Sequence, residues 1–142
     1  MVRHSETRLL PHTQEQLFEL VSSIEEYPEF LPWCIDLVVK NRSGNIIDAD
    51  MTVGFKMLRE KFSSQVTLTP KKQIDVEYID GPFRYLQNRW RFIPNDGGCE
   101  VCFFIDFEFR SRFLKLIMEP LFFEAVRRMV SAFEIRAAER FS

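Results

Sequence analysis

The sequence is poor in histidine and glycine, two residues from which many catalytic and phosphate-binding sites are built. Its two histidines, His4 and His12, both lie near the N-terminus, so neither a Ser/His/Asp nor a Cys/His constellation is indicated. Gly97 and Gly98 follow Asp96 in what reads as a hairpin turn rather than a phosphate loop. We therefore predict no catalytic residues and expect a binding protein rather than an enzyme.

Cysteine is also scarce, and its pattern does not indicate a metal site. Cys99 and Cys102 have C-x-x-C spacing, but on an extended strand their side chains face opposite ways. No second pair and no nearby histidine completes a zinc site. We predict free thiols in a reducing cytoplasm, with no metal and no cofactor.

Long apolar runs and surplus positive charge are missing too. No stretch of about 18 apolar residues could span a membrane, and residues 1–10 lack the apolar core of a signal peptide. The net charge of −2 and the pI of about 5.8 argue against a general nucleic-acid binder.

Phenylalanine is abundant, with 15 copies beside 2 Trp and 3 Tyr in 142 residues. A chain of this length is one domain, residues 1–142. Such rings bury large areas, so the chain has apolar volume for a core and for the wall of a cavity.

Local patterns divide the chain into three parts. Residues 1–10 read as a strand, and Thr13 with Gln16 forms a capping-box pattern that opens a short helix. A second short helical piece follows over 22–32 and is predicted to be broken by its prolines, Pro28 and Pro32. From Ile35 to Phe109 apolar residues alternate with polar ones between hairpin turns, which predicts an antiparallel meander of about six strands.

After Arg110 the apolar period becomes helical up to about Arg140. Ser111 is expected to cap this helix and Pro120 to kink it. Only this long helix is large enough to cover the apolar face of the sheet. The predicted class is α+β with a helix-grip architecture: a strongly twisted antiparallel sheet of about seven strands around one long C-terminal helix, with two short helices after the first strand.

Five sequence blocks resemble the coenzyme-Q-binding family of START-like proteins, in order over nearly the whole chain. The first is YPEFLPWC at 27–34, and the others are GFK with RE at 54–60, DGPF with L and WRF at 80–92, FEFRS at 107–111 and MVSAFE at 129–134. The resemblance implies a START-like fold, a deep apolar cavity and ubiquinone as the bound ligand. It also implies a quinone chaperone or carrier that supports respiratory electron transport. Because the sequence begins directly at the domain, we expect a bacterial cytoplasmic protein.

The family resemblance, combined with the inward faces of the strands and helix, selects candidate cavity residues. They are large rings, methionines and aliphatic residues suited to an irregular ligand: Phe30, Trp33, Met51, Val53, Phe55, Phe83, Leu86, Trp90, Phe103, Phe107, Met118, Phe122, Met129 and Phe133. For any one of them, an ordinary core position is the alternative. Trp33 is expected either at the cavity mouth or as a plug between the short helices and the sheet, and the turn at 81–83 could also form a rim.

Basic and apolar residues alternate at the start of the C-terminal helix, in Arg110, Arg112, Phe113 and Lys115. The helix dipole disfavours cations there by about 0.3–1 kcal/mol each. We predict a transient contact with the inner face of an anionic membrane. The alternative is a solvated helix face.

Two other functions occur within the same family resemblance. A ribosome-association toxin would need a basic surface, for which the candidates are Arg89, Arg91, Arg127, Arg128, Arg136 and Arg140. A polyketide-cyclase-like enzyme would need titratable groups in the cavity, whereas Asp106 and Glu108 are expected on the solvated face of their strand.

Overall fold

A computed structural model describes residues 2–141. Seven strands form its sheet: β1 (Val2–Leu10), β2 (Cys34–Ser43), β3 (Ile46–Phe55), β4 (Leu58–Thr69), β5 (Gln73–Asp80), β6 (Phe83–Asn95) and β7 (Gly98–Phe109). Five helices accompany it: α1 (Gln14–Ser22), α2 (Tyr27–Phe30), α3 (Arg112–Ile117), α4 (Glu119–Arg127) and α5 (Met129–Phe141), with a 3₁₀ turn at Ile24–Glu26 before α2. The predicted α+β class and seven-stranded antiparallel sheet are confirmed.

Every strand pairing is antiparallel, and the order across the sheet is β1-β7-β6-β5-β4-β3-β2. Five hairpins build β2 to β7, because each of these strands pairs with the next. The first strand instead pairs with the last, with Val2 opposite Phe107 and Leu10 opposite Cys99. The short N-terminal helices and the C-terminal helical region pack on the same face of the sheet.

The helix starts follow the predicted capping chemistry. The Gln16 backbone N–H donates to Thr13 Oγ1 at 3.1 Å, and the Thr13 N–H donates to Gln16 Oε1 at 3.0 Å, which completes the capping box of α1. At α3 the Leu114 N–H donates to Ser111 Oγ at 3.2 Å.

Two helix boundaries differ from the predictions. Pro28 does not break a helix but lies in the first turn of α2, where its missing N–H has no intrahelical acceptor. The C-terminal helix is divided twice, at Met118 and at Arg128. The first division accompanies the expected Pro120, whereas at the second the Arg128 N–H bonds the Ala125 carbonyl at 3.1 Å in a tightened turn.

A cluster of phenylalanine rings fills one end of the space between sheet and helices. Phe83 and Phe109 stack with centroids 4.5 Å apart, and Phe107 meets Phe122 edge-on at 4.9 Å. We call these four rings the aromatic cluster. Within residues 2–141, no helix combines the length and apolar character needed to cross a bilayer.

Candidate ligand-binding site

An internal cavity of about 90 Å³ lies beside the aromatic cluster, between the sheet and the helices. Its wall is almost entirely apolar and draws on α4, α5, the 24–33 segment and strands β2 to β7. Eight of the fourteen predicted residues line it: Trp33, Met51, Val53, Leu86, Trp90, Phe122, Met129 and Phe133. The cavity is smaller than the range of about 300–1,000 Å³ typical of ligand pockets.

The other six predicted residues do not line this cavity. Phe83 and Phe107 are fully buried in the aromatic cluster, and Met118 is fully buried at the division between α3 and α4. Phe103 is covered by Trp90, with ring centroids 4.7 Å apart, and Phe30 packs on Phe133. Phe55 lies outside, on a surface groove. Alternation identifies the inner face of a strand, but it cannot tell which part of that face is packed by other rings.

Twelve wall residues were not among the predictions: Ile24, Tyr27, Leu31, Leu37, Ala49, Phe62, Ser64, Val66, Ile74, Val76, Asn88 and Ile105. Most of the strand residues in this set share the inward alternation of the predicted ones, so counting the whole inner face would have found them. Ile24, Tyr27 and Leu31 come from the 3₁₀ turn, α2 and the residue after it, and their direction depends on how this segment folds back over the sheet.

A second, open space of about 530 Å³ adjoins the cavity on the outside. This outer groove runs between the end of β3 and the C-terminal helices and is lined by Pro32, Trp33, Gly54, Phe55, Leu121, Glu124, Ala125, Arg128, Ser131, Ala132 and Ile135. Of the described residues, Trp33 alone lines both spaces. Its backbone carbonyl accepts a bond from the Gly54 N–H at 2.9 Å, which fixes this segment to β3. Trp33 therefore lies between the internal cavity and the outer groove and also packs the 24–33 segment against β3.

Ion pairs fasten the segment before Trp33 to α5. Arg136 Nη2 lies 2.9 Å from Glu29 Oε1, and Arg140 Nη1 lies 2.6 Å from Glu26 Oε1. The Arg136 guanidinium also stands 5.0 Å from the centroid of the Phe30 ring. These contacts hold the helical part of the cavity wall in place.

The site offers little acid–base chemistry. Tyr27 is the one titratable side chain among the described wall residues; its hydroxyl donates to the Val21 carbonyl, and burial raises its pKa. Behind the wall, burial raises the pKa of the Cys34 thiol to about 12, which keeps it protonated. Within residues 2–141, no three His, Cys, Asp or Glu side chains are grouped so as to hold a metal ion.

Asp106 departs from the prediction of a solvated side chain. Only 7% of the residue is exposed, because Arg3 Nη2 at 3.0 Å and the Tyr85 hydroxyl at 3.2 Å both bond its carboxylate from the neighbouring strands. Glu108, on the same face, lies 3.1 Å from Arg84 Nε. Both carboxylates are on the outer face, away from the cavity.

The residues predicted to contact a membrane differ in their exposure. Arg110 and Arg112 are exposed, and Phe113 is exposed beside Leu116 and Ile117. Lys115 is half-buried, 3.7 Å from Glu108 Oε1, and lies in the last turn of the short α3. A cation is favoured there, so the dipole argument does not apply to Lys115.

Five of the six arginines proposed for a ribosome-binding surface are in ion pairs. Arg89 lies 2.8 Å from Asp75, Arg127 and Arg128 share Glu124, and Arg136 and Arg140 hold Glu29 and Glu26. Four carboxylates therefore offset part of the charge of these five arginines, and Arg127 and Arg128 share a single one.

Comparison with known proteins places this geometry in a family. A family described as "Polyketide cyclase / dehydrase and lipid transport" matches residues 10–134. A START superfamily protein from Mycobacterium smegmatis superposes with a TM-score of 0.80 at 18% identity, covering 96% of this chain and 97% of that one, which shows a common fold.

Two curated relatives are similar in sequence over nearly the whole chain. Ribosome association toxin RatA of Rickettsia prowazekii is 36% identical over 98% of each chain. Coenzyme Q-binding protein COQ10 homolog B, mitochondrial, of Xenopus laevis is 31% identical over 96% of this chain and 58% of its own length. With a family match spanning its cavity-forming strands and helices, this chain belongs to the polyketide cyclase / dehydrase and lipid transport family, with a START-like fold.

Proposed function

We propose that this chain binds ubiquinone or a similar prenylated lipid and carries it in support of respiratory electron transport. The observation that carries the proposal is the apolar cavity separated from an apolar surface groove by Trp33. The COQ10-type name of one relative supports the choice of a quinone. Binding rather than catalysis is proposed because Tyr27, the titratable wall residue, already uses its hydroxyl within the fold.

The size of the cavity requires it to open when a ligand enters. At about 24 cal/mol per Å³, 90 Å³ of empty apolar space costs roughly 2 kcal/mol, which a domain can tolerate. A prenylated quinone does not fit in that volume. Displacement of the Trp33 side chain would join the cavity to the groove of about 530 Å³ and bring the space into the range of lipid pockets. Met51 and Met129, both flexible, would adapt the wall to the ligand.

The test is a thermal shift with a decyl-chain ubiquinone, compared with palmitate as a second class of lipid. We expect the quinone to raise the melting temperature, because ligand binds only the folded state. Ala49→Phe, which projects a ring into the cavity, should abolish the shift, whereas Ile79→Ala on the exposed surface should retain it. A shift with palmitate alone would contradict the quinone assignment.

A carrier of an insoluble lipid must exchange it with a bilayer, so we propose a transient membrane contact through Arg110, Arg112, Phe113 and Lys115. The exposed Leu116 and Ile117 extend this surface. Replacing Arg110, Arg112 and Lys115 by glutamate should reduce cosedimentation of the protein with anionic phosphatidylglycerol vesicles. Cosedimentation with neutral vesicles should not change. Reversal of Arg89 and Arg91, on the outer face of β6, together with the exposed Arg127 changes the net charge by the same amount and is the matched control. Equal loss of vesicle binding in both variants would exclude a specific surface.

Association with the ribosome is the second candidate, favoured by the name of the RatA relative. The net charge of −2 and the paired arginines weaken it. Overproduction followed by gradient sedimentation distinguishes the two functions. Cosedimentation with ribosomal particles and loss of assembled ribosomes, without any quinone-induced thermal shift, would replace the carrier by this second function.

A further inference from the structure

The hydroxyl of the wall residue Ser64 forms no hydrogen bond within residues 2–141. Ser64 lies on the inner face of β4 between Phe62 and Val66, which also line the cavity, and only 7% of the residue is exposed. Among the side-chain hydrogen bonds of residues 2–141, its neighbour Ser63 donates to Asp50 Oδ1 at 2.6 Å, whereas none involves the Ser64 hydroxyl.

Two other polar wall side chains, Tyr27 and Asn88, each form a hydrogen bond within the fold. The Tyr27 hydroxyl donates to the Val21 carbonyl, and Asn88 Nδ2 donates to the Phe104 carbonyl at 2.9 Å. Directly across from Ser64 on β3 is Ala49, also a wall residue. Two small side chains side by side leave open space in front of the hydroxyl, so a ligand atom can reach it.

A hydroxyl that faces an apolar cavity without a partner is unfavourable, and a hydrogen bond to the ligand would relieve that cost. Resting on the proposed function, we infer that Ser64 donates to a carbonyl of the ligand head group, so that the ligand enters polar end first. The ligand class is then an apolar chain that ends in a hydrogen-bond acceptor, and a plain hydrocarbon lacks the feature that Ser64 recognises.

The distance along the sheet agrees with this orientation. Cys34, which follows Trp33, pairs with Val53, and Ser64 pairs with Ala49, four residues earlier on β3. At about 3.3 Å per residue, Ser64 lies roughly 13 Å along the sheet from the Trp33 end. A head group at Ser64 would lie deep in the cavity, with the chain running back past Trp33 into the outer groove.

The experiment compares two probes that share a decyl chain, decyl-ubiquinone and decylbenzene. Binding is measured by displacement of the fluorescent apolar probe N-phenyl-1-naphthylamine. Ser64→Ala should weaken the quinone by about 3- to 10-fold and leave decylbenzene unchanged, since one hydrogen bond is lost. Val66→Ala, on the same strand and wall, is the matched control and should weaken both probes alike.

Stability provides an independent readout. Because the Ser64 hydroxyl has no partner in the folded chain, Ser64→Ala should unfold at the same or a higher temperature than the wild type; a lower temperature would indicate a structural role and overturn the inference. Unchanged quinone affinity in Ser64→Ala, or an equal loss of both probes, would also overturn it while leaving the carrier function intact. If the wild type binds neither probe, the carrier function and this inference both fail.

Discussion

Trp33 and Cys34 are adjacent in the chain, yet they do different things in the fold. Trp33 is half-buried between cavity and groove, while Cys34 is 3% exposed behind the wall and pairs with Val53. Both residues belong to the YPEFLPWC block. Only the folded structure shows that Trp33 lies between the cavity and the groove, whereas Cys34 packs this segment against the sheet.

Removing the Trp33 ring should speed ligand exchange. Trp33→Ala lowers the barrier that the displaced indole imposes, and a barrier lower by about 1.4 kcal/mol corresponds to a tenfold faster rate. Stopped-flow release of decyl-ubiquinone into vesicles measures it. Trp90→Phe, which alters a wall ring away from the mouth, is expected to change affinity more than rate; the opposite ranking would contradict the role of Trp33.

We expect the buried Cys34 thiol to lower the free energy of unfolding in alkaline solution. Its folded pKa of about 12 lies above that of an exposed thiol, about 8.5, so the folded state favours the protonated form. The associated stability is complete below about pH 8 and is lost as the pH rises toward 12, by roughly 3 kcal/mol at pH 10.5. Urea unfolding should show a smaller pH effect for Cys34→Ala, with Cys102→Ala unchanged as the control. An equal loss of stability with rising pH in the wild type, Cys34→Ala and Cys102→Ala would refute this role of Cys34.

At the scale of elements, α2 and α5 depend on each other. A four-residue helix is too short to persist alone, so α2 is held by its packing and by Arg136, which bonds Glu29 and covers Phe30. From the sequence, we predicted the helical segment over 22–32 and considered Arg136 only as a candidate for a basic surface. The sequence could not predict their contact, because Glu29 and Arg136 are 107 positions apart.

Truncation of Arg136 should therefore destabilise the fold more than truncation of an ordinary surface arginine. Arg136→Ala is expected to cost about 1–2 kcal/mol, because the side chain is 23% exposed and both bonds a carboxylate and covers a ring. Arg127→Ala, whose partner Glu124 is also exposed, should stay within about 0.5 kcal/mol. Denaturant titrations compare the two, and similar values would show that α2 does not rely on this contact.

The helix divisions show what local sequence can indicate. Pro120 indicates the division at Met118, because proline lacks the backbone N–H that a continuous helix requires. Arg128 carries no such signal, and its tightened turn arises where α4 and α5 pass the cavity and groove. Sequence thus predicted the extent of the helical region, but not its second change of direction.

For the whole molecule, alternation predicted six consecutive strands well, since each hairpin is a local event. The pairing of β1 with β7 has no local signature and was not predicted from the sequence. The cavity was anticipated as larger than it is. Its volume depends on small residues meeting across strands, such as Ala49 and Ser64, whereas the prediction emphasised large rings.

The long-range pairing of β1 should appear in the folding kinetics. Leu10→Ala, at a position 2% exposed, is expected to cost about 2–4 kcal/mol, mainly by faster unfolding, because β1 pairs late. Val101→Ala, in the β6–β7 hairpin, should slow refolding more. Chevron plots from stopped-flow mixing give both rates. Slower refolding in Leu10→Ala than in Val101→Ala would reverse this order.

The closure of β1 on β7 also has a consequence for synthesis on the ribosome. The N-terminal segment emerges first, but its partner strand follows about 100 residues later, which at 5–20 residues per second is a wait of roughly 5–20 s. During that wait the backbone N–H and C=O groups of β1 lack their partner strand and are open to pairing with other nascent chains. A holding chaperone that covers Val2–Leu10 during that wait would therefore prevent such pairing.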